Sequence, residues 1–197
     1  MMTKLNRSAW LGIFLIALIS GDAFAERYLT IPEAQKICFP KANNFETQAI
    51  ELSKNQIKKV EKKSGAKFLS KTNAYSIAWQ EKTFLGMLIF DRVLGKHEMI
   101  DYAVAISPEG KILQVEILEY REHYGGEIRR DQWRGQFKGK NLTSPLKIHE
   151  DIYNISGATI SCRHVTEGVK RVLATYDLVI RPQLVASGKL PNDAAKP

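Results

Sequence analysis

The sequence predicts an α+β domain, because helical and strand patterns occupy separate parts of the chain. Apolar residues recur near helical spacing over 31–63, alternate with polar residues over 74–118, and return to helical spacing over 159–177. The predicted order is therefore an N-terminal helix, an antiparallel β-meander, a long loop, and a second helix that opens at the SGAT motif, Ser156-Gly157-Ala158-Thr159.

The first helical region begins with Pro32, which suits the first turn of a helix. Beyond Pro40 the apolar side chains continue near helical spacing, and Ser64-Gly65 marks the end. This spacing predicts helix from Ile31 to Lys63. The lysines on it are Lys54, Lys58, Lys59, Lys62 and Lys63. They predict either a solvated face or a docking surface for an acidic redox partner.

The period changes to two at Tyr75, Ile77 and Trp79. Strand patterns follow over 83–93, 99–106 and 111–118, and the last two are separated by the turn sequence Ser107-Pro108-Glu109-Gly110. Short connections of this kind predict an antiparallel meander.

The first 25 residues have the pattern of a secretory signal peptide. Lys4 and Arg7 precede an apolar run over 11–19, and the small-x-small sequence Ala23-Phe24-Ala25 precedes Glu26. We expect cleavage after Ala25 and a periplasmic or other extracytoplasmic protein, although an uncleaved membrane anchor is the alternative. The domain is then expected to span 26–186, with a disordered tail over 187–197.

The formal net charge of +8 falls to +7 when residues 1–25 are removed. Nucleic-acid recognition motifs are absent, and an exported protein would not meet nucleic acid. The histidines have no metal-ligand spacing, so no metal site is predicted. Cys38 and Cys162 form either a disulfide in an oxidising compartment or two separate buried thiols.

Two segments carry the functional signal. The charged, aromatic and glycine-containing stretch over 119–140 has the composition of a functional loop. The SGAT motif then combines small residues, which permit close backbone approach, with a hydroxyl at the first turn of a helix. Free N–H groups and the helix dipole at such an end favour a phosphate.

Ser-Gly-Ala-Thr followed by a helix resembles the flavinylation motif of the FMN-binding domain family, which includes flavin-carrying components of the sodium-pumping NADH:quinone reductase and of the Rnf electron-transport complex. The family's loop before the motif is similar at Glu122, at Gly125 and over 133–140, where Trp133, Gln136, Phe137, Gly139 and Lys140 match. Tyr153 stands where the family often has Asp; Asp151 is the nearest acid before it.

The resemblance implies FMN bonded through a phosphoester to Thr159, installed outside the cytoplasm by a flavin transferase that uses FAD. Ser161 is the nearest competing hydroxyl. The expected cofactor-binding residues are Thr159, Ser156, Gly157, Ala158, Ser161, Glu122, Gly125 and Gly126.

The function expected from this resemblance is an exported electron-transfer flavoprotein with a membrane or periplasmic redox partner. No acid–base pair or nucleophilic triad is apparent, which favours an electron carrier over a stand-alone enzyme. Two alternatives remain: an FMN-dependent reductase component that acts with a partner on a small acceptor, and a flavin-free module that binds an anion at the same helix end.

Overall fold

The computed structural model describes residues 26–190 and confirms the α+β class. Six antiparallel strands form one sheet in the order β1-β6-β5-β4-β3-β2, and five of them are long. The strands are β1 (Glu26–Arg27), β2 (Asn44–Glu51), β3 (Thr72–Gln80), β4 (Thr83–Leu94), β5 (Met99–Ile106) and β6 (Ile112–Tyr120). The α-helices are α1 (Ile31–Cys38), α2 (Lys54–Ser64), α3 (Asp131–Arg134), α4 (Thr159–Thr175) and α5 (Arg181–Ala186).

The N-terminal helical prediction was right at its ends and wrong in its middle. Residues 44–51 form β2, an edge strand paired along its length with β3. Only Ile50 of this strand is buried, so the strand lacks the alternating apolar pattern that would identify it. Helices α1 and α2 on either side each begin with a capping box, formed by Thr30 with Glu33 and by Ser53 with Gln56.

The predicted meander is confirmed, and its two faces support separate cores. On β4, Met87 and Ile89 belong to the core under α4, whereas Leu88 between them belongs to the core under α1. Alternate residues of a strand point to opposite faces, so α4 and α1 cover opposite sides of the sheet.

The two cysteines are free and buried. Cys38 lies in the core under α1 and Cys162 in the core under α4, so the sheet separates them. The alternative of two separate thiols therefore describes this fold. Burial, with the nearby Glu116 carboxylate, raises the pKa of Cys38 to about 12 despite the opposing charge of Arg134.

The chain after α4 stays helical for longer than predicted. One wide turn over Tyr176–Ile180 leads into α5, where Pro182 occupies a first-turn position and does not end the helix. Lys189 pairs with Glu46 at 2.7 Å and Leu190 is buried, so the folded chain continues past the predicted start of the tail at Ser187. The predicted signal peptide (1–25) and the rest of the tail (191–197) lie outside the described residues.

A buried ion pair fixes α4 to the sheet. Arg171 of α4 donates to the Asp91 carboxylate of β4 at 2.7 Å, and their side chains are only 4% and 8% exposed. Tyr102 of β5 donates to the same carboxylate oxygen at 2.6 Å. Arg171 also donates to the carbonyl oxygens of Lys67 and Arg92, so one side chain joins α4, β4 and the connection after α2.

Replacing Arg171 should strongly destabilise the protein. Arg171→Met leaves the Asp91 carboxylate buried without its cation, which costs about 3–5 kcal/mol of unfolding free energy. Urea denaturation measures the loss. The double variant Arg171→Met/Asp91→Asn should recover part of it, because the uncompensated charge is gone.

The control is Lys170→Met, which removes a neighbouring cation whose side chain, within residues 26–190, donates a solvent-exposed hydrogen bond to the Pro145 carbonyl. We expect that variant to lose less than about 1 kcal/mol. Equal losses from Arg171→Met and Lys170→Met would contradict the assignment of this anchoring role to Arg171.

Candidate flavin site

The SGAT motif forms the entry to α4, as predicted. Thr159 is the first residue of the helix and is half-buried, while Ser156 and Gly157 are exposed. Gly157 has a φ of +82° and open space where a Cβ would stand, so this position needs glycine for its backbone conformation. The helix has no side-chain N-cap, unlike α1 and α2. Its first N–H groups are therefore available to an external acceptor.

Asn154 orients the Thr159 hydroxyl. Its Nδ2 donates to Thr159 Oγ1 at 2.9 Å, and its Oδ1 is buried without a hydrogen-bond partner among the described residues. This residue was not predicted from the sequence, because an asparagine five positions before a threonine has no recognisable signature. The motif therefore has two kinds of polar group without a protein partner: the first N–H groups of α4 and this asparagine oxygen.

The loop after β6 reaches the motif at one tight contact. A Cβ on Gly125 would lie 2.6 Å from the Cβ of Ala158 and 2.8 Å from the Tyr120 hydroxyl, and Gly125 has a φ of +84°. Two predicted site residues, Gly125 and Ala158, are thus brought together. The contact explains why both are small.

The Tyr120 hydroxyl lies beside this contact. It donates to the carbonyl of Tyr124 and lies 3.5 Å from Ser161 Oγ. Ser161 is only 3% exposed, so its hydroxyl faces the protein interior. Burial raises the pKa of Tyr120, so its phenol remains a protonated donor in alkaline solution as well as at neutral pH.

The other predicted loop residues lie around this point. Glu122 accepts hydrogen bonds from the backbone N–H groups of His97, at 2.6 Å, and Glu98, at 3.0 Å, so its carboxylate holds the turn between β4 and β5. Burial opposes ionisation there, but these N–H groups prevail and lower the pKa of Glu122. Gly126 lies beside the side chain of Arg129, which donates to its carbonyl.

A cavity of about 360 Å³ lies on the loop next to the motif, lined by residues 123–127 with Arg129 and Arg130. Two aromatic side chains near the motif are almost fully exposed, Tyr124 at 83% and Tyr153 at 80%. A larger cavity of about 680 Å³ lies beside the start of α1 on the other face of the sheet and includes no motif residue.

Within the predicted loop over 119–140, residues 126–137 fold as short helical turns. Trp133 and Phe137 are buried and pack edge to face, with ring centroids 5.2 Å apart. Trp133 Nε1 donates to the Tyr153 carbonyl at 2.9 Å, and Gln136 Oε1 accepts from the Tyr153 N–H at 2.6 Å. The family-like residues Trp133 and Gln136 therefore hold the backbone that leads into the motif.

Asp151 supports the same segment from within. It accepts hydrogen bonds from Lys140 Nζ at 2.8 Å and from the backbone N–H groups of Leu146 and Lys147. Burial alone would raise its pKa, but these donors prevail and lower it. The carboxylate is thus committed to the turn over 146–151.

The described residues contain no helix long and apolar enough to cross a membrane. They also contain no cluster of His, Cys, Asp and Glu that could hold a metal ion.

Loss of the Asp151 charge should reduce stability in a pH-dependent way. We expect Asp151→Asn to lower the unfolding free energy by about 1–3 kcal/mol at neutral pH, since charged hydrogen bonds are lost. The folded-state pKa of Asp151 is lowered, so its contribution is complete above the unfolded pKa of about 4 and disappears as the pH falls through the folded value. Urea unfolding from pH 8 down to pH 3 should therefore show the two proteins converging only in acid.

The control is Glu150→Gln, because Glu150 pairs with Lys147 while its side chain is 50% exposed. We expect Glu150→Gln to lower the unfolding free energy much less than Asp151→Asn does, because solvent screens an exposed ion pair. A pH-independent difference between wild type and Asp151→Asn would refute the proposed role of the carboxylate.

The sequence pattern of the FMN-binding domain matches residues 95–174, a range that contains the loop, the motif and nearly all of α4. A component of the proton-translocating ferredoxin:NAD(+) oxidoreductase complex of Clostridium ljungdahlii is 27% identical over 173 residues, which cover 81% of this chain and 85% of that protein. The crystal structure of Shewanella oneidensis NqrC has a similar fold, with a TM-score of 0.50 and 15% identity over 77% of this chain and 88% of that one. The predicted resemblance to the FMN-binding domain family is confirmed by this match, which covers residues 95–174 and contains both the loop and the motif that suggested it.

Proposed function

We propose that this protein is an exported electron carrier whose FMN is esterified through its phosphate to Thr159. The observation that carries the proposal is the Thr159 hydroxyl at an uncapped helix N-terminus within a matched FMN-binding domain. The relative in Clostridium ljungdahlii belongs to a redox complex, and this supports a redox partner at a membrane for the present chain as well.

The residues at the motif fit a flavin phosphate. The first N–H groups of α4 and the helix dipole favour an anion, and no side chain of the described protein caps them. Gly157, two residues before Thr159, has open space where a Cβ would stand. Asn154 keeps Thr159 Oγ1 in a fixed direction through its hydrogen bond.

In the attachment reaction FAD donates its FMN half to Thr159 and AMP is the leaving group. The Thr159 oxygen forms a bond to the phosphorus on the flavin side, the bond from that phosphorus to the bridging oxygen breaks, and AMP leaves. The hydroxyl proton passes to a base of the flavin transferase or to water. Because Thr159 Oγ1 accepts the hydrogen bond from Asn154, its own proton remains available for removal.

The bound flavin would supply the electron-transfer chemistry, and the protein would position it and exclude water. Tyr124 and Tyr153 are exposed aromatic surfaces whose backbones are held by Tyr120 on one side and by Trp133 and Gln136 on the other. We infer that these tyrosines shield the flavin ring. Gly125 and Gly126 shape the adjacent cavity.

Removing the Thr159 hydroxyl should abolish covalent flavin. Thr159→Ala, co-produced with a flavin transferase, should be folded but colourless, whereas wild type should retain flavin fluorescence after denaturing electrophoresis. Thr159→Ser should recover part of the signal, since it restores an oxygen. Peptide mapping should place the FMN mass on the fragment that contains Thr159.

The control is Ser161→Ala, which removes the nearest hydroxyl in the chain but one that is buried, and it should remain yellow. Undiminished fluorescence in Thr159→Ala would refute the attachment site. Absence of flavin in wild type with an active transferase would refute the covalent proposal and favour the anion-binding alternative.

Export predicts a defined N-terminus. The basic residues, the apolar run and Ala23-Phe24-Ala25 should direct cleavage after Ala25. Intact-mass analysis of the exported protein should then give a chain that begins at Glu26. A full-length, membrane-bound product would instead indicate the uncleaved anchor.

A further inference from the structure

The lysine face of α2 is the most concentrated charge on the described protein, and the flavin proposal does not use it. The lysine face consists of five side chains: Lys54, Lys58, Lys59, Lys62 and Lys63. Residues 51–71 contain seven lysines and two glutamates, a net charge of +5, whereas the whole chain of 197 residues carries +8. More than half of the net charge therefore lies in about a tenth of the sequence.

The geometry of α2 keeps these charges on one side. At 100° per residue the five lysines fall within one half of the helix circumference, and the buried Val60 and Ser64 fall in the other half. All five lysines are exposed. None of them forms an ion pair or side-chain hydrogen bond within residues 26–190. Glu61, the acid on this helix, pairs instead with Lys67 at 2.8 Å.

The side chains on this face suit a lipid surface better than a protein. Protein interfaces are anchored by Trp, Tyr and Arg and are depleted in Lys. The exposed face of α2 has no aromatic residue and no arginine; besides the lysines it presents Asn55. Clusters of four to eight basic residues on an amphipathic helix bind anionic phospholipids through diffuse attraction, which needs no shaped partner.

The position of α2 is compatible with an accessible flavin site. The connection after α2 contacts Arg171, twelve residues along α4 from Thr159. At 1.5 Å per residue this places the motif about 18 Å away along the helix axis. The segment that follows the lysine face therefore contacts α4 well away from the SGAT motif.

We propose that the lysine face of α2 docks the protein on an anionic phospholipid bilayer. The contact is electrostatic and lies outside the flavin site, so it is independent of flavin attachment. It would hold the domain beside a membrane without a membrane-spanning helix in residues 26–190.

Vesicle co-sedimentation tests the proposal with a chain that begins at Glu26, because this chain keeps every described residue and lacks the apolar run over 11–19. The protein should bind vesicles of phosphatidylcholine mixed with phosphatidylglycerol, and not vesicles of phosphatidylcholine alone. Raising the salt from about 0.05 M to about 0.5 M should release it, because screening shortens the range of the attraction.

Replacement of all five lysines of the face by glutamine should weaken binding by at least about tenfold. The matched control replaces five exposed lysines that are scattered over the fold and make no ion pair among the described residues: Lys36, Lys41, Lys82, Lys111 and Lys138. Both variants lose the same formal charge. The control should keep most of the binding, and circular dichroism should show both to be folded.

Failure of wild type to bind the anionic vesicles would overturn the proposal and leave an acidic protein as the partner to seek. Equal weakening in the two variants would also overturn it, because the binding would then depend on net charge and not on this face. Neither result depends on whether Thr159 carries FMN.

Discussion

The position of the SGAT motif depends on a few side chains that hold an irregular stretch of backbone. Between Lys140 and Thr159 the described chain has only short turns and the single bridge between Ile148 and Ile152. Asp151 ties this stretch together, and Trp133 and Gln136 hold it at Tyr153. We call Asp151, Trp133 and Gln136 the clamp. Because a redox group is useful only at a fixed distance from its partner, the proposed function depends on this clamp.

The clamp also changes the interpretation of the family-like run over 133–140. The resemblance placed this run in the family's loop before the motif. In the structure Trp133, Gln136 and Lys140 of the run are hydrogen-bonded to the segment that leads into the motif. Their effect on the site is indirect: they determine where Asn154 and Thr159 lie. Asp151, the nearest acid to the position where the family often has Asp, is part of the clamp. The backbone of Tyr153 is hydrogen-bonded to Trp133 and Gln136, while its ring is exposed to solvent.

The parts of the fold that sequence could predict were those with a complete periodic signal. Strands β3 to β6 lie at the centre of the sheet, so both faces contribute apolar side chains and the pattern is strong. Strand β2 lies at the edge with one buried residue, and its spacing was mistaken for helix. The turns over 126–137 were predicted as a loop because their order comes from Trp133 and Phe137 packing in the core, a tertiary effect that local periodicity cannot express.

The candidate site also contains residues that a local sequence pattern predicts and residues whose role depends on tertiary contacts. Thr159 and its small neighbours were predicted as site residues because their spacing before a helix is a recognisable pattern, and Gly125 because it matched a family position. Asn154 and Tyr120 were missed, because their importance comes from contacts that form only after folding. Helices α1 and α2 satisfy their first N–H groups with capping boxes, whereas α4, the longest helix described, leaves its first turn uncapped. A missing cap costs about 1 kcal/mol. The packing of α4 and the Arg171–Asp91 pair can offset that cost, and the helix end then remains available to a phosphate.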